Sequence, residues 1–204
     1  MMRRLILNRT GSGAAEFSLV LPLLILLLFG MIDTGRYMWE YNRAEKATMM
    51  GARMAVVTDS ISGGLAAANY VGTGSPALTQ GDPIPAAALG TVVCTSTGCC
   101  NPTSLCTTPY PAVGTYGTIP FNAIVRRMQY MYPAITADKV RVEYRGSGLG
   151  YAGDPNGMEV APLITVRLVG QQFRPLSFLM LTHTNMPDFA TTLTSEDSSG
   201  TTSN

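Results

Sequence analysis

The chain has 204 residues, a formal net charge of +1 and only 13% charged side chains. That balance supplies no basic field of the kind that holds nucleic acid, so no nucleic-acid partner is expected. The length allows one modest core in addition to a membrane segment.

Met1 to Thr10 is a short basic stretch, with Arg3, Arg4 and Arg9 and no acidic residue. Phe17 to Ile32 then carries no charge at all. As a helix that run is about 24 Å long. It is marginal for a hydrocarbon core of about 30 Å, and sufficient once Ala14, Ala15 and a neutralised or paired Glu16 join it. A basic flank ahead of an apolar helix is the pattern of a membrane-targeting segment with its N-terminus in the cytoplasm. Pro22 removes one backbone hydrogen bond, which membrane helices tolerate better than soluble ones. The stretch GMIDTGR offers no small-x-small cleavage site, so the apolar segment should stay attached. Tyr37, Trp39 and Tyr41 are suited to the outer interface.

From Arg36 to Val57 the pattern stays helical and becomes amphipathic. Ala44, Ala47, Met50 or Gly51, Met54 and Ala55 recur at spacings of three and four, with Arg43, Glu45, Lys46 and Arg53 between them. A stripe of small residues serves a partner helix or the chain's own core equally well, and periodicity does not choose.

Asp59 to Gly64, DSISGG, is a helix breaker and an expected hinge, followed by a short helical turn within Leu65 to Tyr70. Gly72 to Pro120 is rich in Gly, Pro and Thr, with one short strand expected near Thr91 to Val93. It is too long for a plain loop in a compact domain. Its four cysteines supply the missing order. An even number of cysteines in an exported domain favours disulfides among Cys94, Cys99, Cys100 and Cys106. Three pairings are open, and only the nested one requires a bond between the adjacent Cys99 and Cys100. Zinc is disfavoured, because the spacing does not form two C-x₂₋₄-C knuckles. No metal and no cofactor are expected.

Pro120 to Tyr132 reads as a helix, with Phe121, Ile124, Val125, Met128 and Met131 or Tyr132 on one apolar face and Pro133 after it. Val140 to Tyr144 alternates as a half-buried strand, and Val160 to Val169 is a second strand, with Pro162 at its start or on an edge. The two should pair antiparallel across the glycine-rich connection. Phe173 to Leu181 is apolar but ambiguous in type, Asp188 to Leu193 is a last strand, and Ser195 to Asn204 is a polar tail. The turn at Asp154-Pro155-Asn156-Gly157 lacks the repeated acidic positions of a calcium loop. His183, the lone histidine, has no nucleophile or acid at a telling spacing, and the solvated Arg126-Arg127 pair adds none. Without a catalytic constellation, no enzymatic activity is expected.

One residue stands out: Glu16, a carboxylate at the lip of the apolar run, where an unpaired charge is expensive. Gly11 lies five positions before it, and Phe17 follows. This resembles the processing site of Flp-type prepilins and of the TadE-like pseudopilins of the tight-adherence (Tad) pilus system. The segment AAEFSLVLPLLILLLFGMIDTGRYMWEYNRAEKATMMGAR is similar to the TadE domain throughout. The resemblance implies cleavage by a prepilin peptidase between Gly11 and Ser12, with Glu16 and Phe17 as the motif pair for processing and assembly. It further implies that Glu16 pairs with the new amine of Ser12 on a neighbouring subunit.

The resulting expectation is an α+β protein: a leader (1–11), a long N-terminal membrane and assembly helix (12–58), and a small exported antiparallel-sheet domain (59–194). The domain carries a disulfide-stapled insertion (72–119), and a polar tail (195–204) follows. The resemblance implies a structural pseudopilin of the inner membrane, single-pass with the C-terminal domain in the periplasm, assembled as a minor or initiating component of a Tad/Flp-type pilus. Its expected partners are the prepilin peptidase, other pilins or pseudopilins with the assembly machinery, and the lipid bilayer. The alternative is a membrane-anchored adhesive module that uses the cysteine-rich loop to contact a surface ligand.

Overall fold

The computed structural model describes residues 12–155, 157–176 and 183–195. The leader, with Gly11, and nearly all of the polar tail lie outside the described residues. The described chain divides into two units, Met1–Tyr41 with Gln172–Asn185, and Asn42–Gln171 with Met186–Asn204.

A single helix, α1 (Ser12–Val57), contributes its first part to one unit and its last part to the other. It runs through Pro22 without a break. In the first unit its side chains from Gly13 to Ile32 are all exposed. A two-stranded hairpin, β5 (Gln172–Phe173) with β6 (Thr184–Asn185), completes that unit. The rest of the ambiguous apolar segment, from Ser177 onward, lies outside the described residues.

The second unit is a five-stranded antiparallel sheet in the order β2-β1-β3-β4-β7. Its strands are β1 (Thr91–Thr95), β2 (Gly98–Cys99), β3 (Val140–Arg145), β4 (Leu163–Leu168) and β7 (Phe189–Thr194). The period-2 pattern of β3 sets the register. Val140, Val142 and Tyr144 lie opposite Leu168, Val166 and Ile164, and all six are buried. The opposite face is polar: Glu143 accepts from Arg167 at 2.9 Å, and the hydroxyls of Thr165 and Thr192 lie 2.7 Å apart. Pro162 falls just before β4, which is an interior strand, so the proline costs no ladder bond.

Two helices cover the apolar face. One is α3 (Thr118–Met131), which buries Phe121, Ile124, Val125 and Met128. The other is the last part of α1, where Ala44, Ala47, Ala52 and Ala55 are each at most 2% exposed. Gly51 is tight enough that an added Cβ would lie 2.7 Å from Met128 Cγ and 3.1 Å from Val166 Cγ1. Thr48 Oγ1 meets Thr191 Oγ1 at 3.1 Å, and Arg43 donates to the Met131 carbonyl. The small-residue stripe is therefore the chain's own core and not a face kept for another subunit.

The DSISGG stretch is a breaker but not a hinge. Ile61 and Ser62 are fully buried, and Ser62 caps the short helix α2 (Gly63–Ala66). The N–H groups of Gly63 and Gly64 donate to the Thr115 and Val113 carbonyls, each at 2.9 Å. A Cβ on Gly64 would collide with the Ala112 carbonyl, so the glycines are there for close backbone approach and not for freedom.

The predicted insertion is likewise more than a stapled loop. It supplies β1 and β2 to the main sheet, and Ile84, Leu89, Val92 and Val93 to the common core. The strand expected at Thr91 to Val93 extends to Thr95 because Thr91 through Cys94 pair with Arg145 through Val142.

Candidate functional site

Two parts of the molecule carry chemistry: the cysteine-bearing edge of the sheet and the exposed first part of α1. Cys94 on β1 faces Cys99 on β2 across the strand pair, and the two form a disulfide. Cys100 and Cys106 form the second. The pairing is the sequential one of the three left open. Cys100 takes φ +50°, and its N–H donates to the Val93 carbonyl at 2.8 Å, which turns the chain sharply behind β2. Cys94, Cys99 and Cys100 are buried, so the bridges tie the sheet edge internally.

In the first unit, Ser12 opens α1 and Glu16 lies one turn further on, exposed. Phe17 is 63% exposed. From Gly13 the helix is long and apolar enough to cross a membrane: its best window has a mean hydropathy of 2.4 and no buried residue. An exposed apolar surface of this extent is of the kind that lipid or partner helices cover. Gly11, the other half of the expected cleavage site, lies outside the described residues.

At the far end of that run sits a residue that sequence reasoning passed over. Asp33 is only 8% exposed. Its Oδ1 accepts the Leu176 N–H at 2.7 Å and lies 3.6 Å from Arg36 Nη1. Arg36 also donates to the Arg174 carbonyl at 3.3 Å, ion-pairs with Glu40 at 3.7 Å, and stacks its guanidinium 5.5 Å from the Phe173 ring centre. Tyr37 meets the same ring edge to face at 5.4 Å. The signal for this clasp was present in the sequence as an acid placed directly after an uncharged run, with a base at i+3. Nothing in the sequence pointed to the strand it would hold.

Elsewhere, Tyr144 and Glu159 hold buried backbone N–H groups. Tyr144 Oη accepts the Ile61 N–H at 3.2 Å, and burial pushes its pKa up to about 12. Glu159, buried, accepts the Tyr70 N–H at 2.8 Å. Burial, with the nearby Glu159 charge, raises the Tyr70 pKa, and among the described residues its hydroxyl has no hydrogen-bond partner. His183 is exposed, as are Arg126 and Arg127.

Residues 11–53 match the family described as TadE-like protein. The match begins at the glycine of the expected processing site and ends within the buried part of α1. No curated protein matches the chain, and no solved structure does.

Proposed function

We propose, from the premise that residues 11–53 are the TadE-like segment of this chain, that it is a structural pseudopilin. It is inserted in the bacterial inner membrane, cut by a prepilin peptidase after Gly11, and assembled as a minor or initiating component of a Tad-type pilus. The observation that carries this reading is the coincidence of the family match with a long helix whose apolar stretch from Gly13 to Ile32 is uncovered. Such a helix has to be solvated by lipid before assembly and by other subunits after it.

Insertion places Arg3, Arg4 and Arg9 in the cytoplasm and the sheet unit in the periplasm. An oxidising periplasm agrees with the two disulfides. Cleavage leaves Ser12 with a free amine four residues from Glu16. In hydrocarbon, a carboxylate of one subunit and the amine of its neighbour offset each other's desolvation and set the stagger between helices. The work is structural and not catalytic. Burial of Cys94, Cys99 and Cys100 in the sheet supports a scaffold over an adhesive loop.

The mass of the mature protein tests the first step. The expected N-terminus is Ser12, and Gly11→Leu should leave a full-length precursor in the membrane. A mature start beyond Ile32 would overturn the reading, because the apolar helix would be gone. Glu16→Ala tests the second step. Cleavage and melting of the sheet unit should be unchanged, while incorporation into pili is lost, since an amine left buried and unpaired costs about 3–5 kcal/mol. Normal incorporation of Glu16→Ala would make Glu16 a solvated flank residue.

A further inference from the structure

The clasp at Asp33 has a direction. Phe173 lies against Tyr37, the Arg174 carbonyl takes a hydrogen bond from Arg36, and Leu176 N–H donates to Asp33. Each step along the strand therefore moves back along α1, toward its apolar run. Pro175 lies on this course, lining a groove with Gly30 and Thr34. The stem of the β5–β6 hairpin thus descends beside the helix to the level where the uncharged run ends.

At that level the exposed surface is apolar. Leu176 is 61% exposed, and on the helix Phe29, Met31 and Ile32 are between 43% and 57% exposed. About one and a half turns further out, Met38 and Trp39 are also exposed, at 54% and 62%. Trp is the side chain enriched at the depth where apolar chains meet headgroups. The charges nearby are engaged: Asp33 accepts a backbone N–H and lies beside Arg36, whose remaining contacts go to Glu40, a carbonyl and a ring. A carboxylate held this way tolerates the edge of a bilayer, where an unpaired one would not. In the sequence, the residues between Arg174 and His183 carry no charge.

We propose that the stem of the β5–β6 hairpin, at Pro175 and Leu176, is a second membrane contact. Asp33 clasps the stem to α1 so that Leu176 and Pro175 enter the boundary between headgroups and acyl chains of the outer leaflet. The partner is the lipid surface itself, continuous with the lipid around the apolar run. The hairpin's role is to fix the depth and rotation of α1 in the bilayer, which a featureless apolar helix does not fix for itself. The proposal rests on the reading of α1 as membrane-spanning, so its test carries a separate probe for each.

The full chain is reconstituted in phosphatidylcholine vesicles whose acyl chains are brominated either near the headgroup or near the chain middle. Trp39 is the chain's sole tryptophan, so Trp39→Phe gives a silent background. In that background Leu24→Trp should be quenched best by deep bromines. Leu176→Trp should be quenched best by shallow ones, with blue-shifted emission. Adding Asp33→Ala should abolish quenching at position 176 and leave position 24 unchanged. Asp33→Asn, which keeps an oxygen acceptor for the Leu176 N–H, should retain it.

Quenching at 24 without quenching at 176 overturns the proposal and leaves the spanning helix standing. A blue shift at 176 without bromine quenching means that a second copy covers the site, and also overturns it. Quenching at 176 that survives Asp33→Ala refutes the clasp as the cause. Absence of quenching at both positions removes the spanning reading and the proposal together.

Discussion

One helix carries two surfaces with opposite fates. Between Phe17 and Ile32 most side chains are large and apolar, and all sixteen residues are exposed. Between Ala44 and Val56 the inward residues are small, and Ala44, Ala47 and Ala52 are completely buried. The backbone is the same α-helix in both stretches. What differs is what the side chains permit. A stripe of Ala and Gly lets α1 approach a sheet and a second helix closely, whereas a sheath of Leu and Ile fills space in all directions and asks for a solvent of its own kind.

One glycine from each stretch tests that contrast most sharply. Gly51→Leu places a branched side chain against Met128 and Val166, and should destabilise the sheet unit by about 3 kcal/mol. Gly30 has nothing within 4 Å of an added Cβ, and Gly30→Leu should leave that unit's urea midpoint unchanged. Equal effects would mean that the two stretches are not differently packed.

A second effect of nearly that size belongs to the sheet unit alone. Tyr144 titrates near 10 when unfolded and is held to about 12 in the fold. A raised pKa stabilises fully below the unfolded value, and that contribution is lost as pH climbs through the folded value. Between pH 10 and pH 12 the loss amounts to about 2–3 kcal/mol. Tyr144→Phe should remove this alkaline slope from denaturant titrations at several pH values. It should also be less stable at pH 7, because the Ile61 N–H loses its acceptor.

The smallest effect is expected at the sheet edge. Replacing Cys100 and Cys106 by serine opens a short loop, which should lower stability by about 2 kcal/mol, read from urea midpoints. Membrane insertion of the apolar stretch should not change. Alkylation of the wild-type protein under denaturing, non-reducing conditions should label none of the four cysteines.

Much of this molecule is legible in the sequence. The apolar run, the helix that begins near Pro120 and the alternation in β3 are local signals. Each depends on neighbours only a few positions away. The residues that were misjudged depend on distant ones. DSISGG has the composition of a hinge, yet it is packed because Thr115 and Val113 supply acceptors from far along the chain. The cysteine region looks coreless, yet β1 finds its partner in β3, and that pairing buries Val92 and Cys94.

The sequence by itself determined which stretch is long and apolar enough to cross a membrane and which face of each amphipathic element is apolar, because hydropathy and periodicity are written within a few turns of chain. Tertiary structure alone decided which surface each apolar face would meet. It assigned the small-residue stripe to the chain's own sheet, chose the sequential disulfide pairing, and set Asp33 beneath the Leu176 N–H. These outcomes turn on contacts between residues far apart in the chain, and no local pattern encodes which of several compatible partners closes the loop.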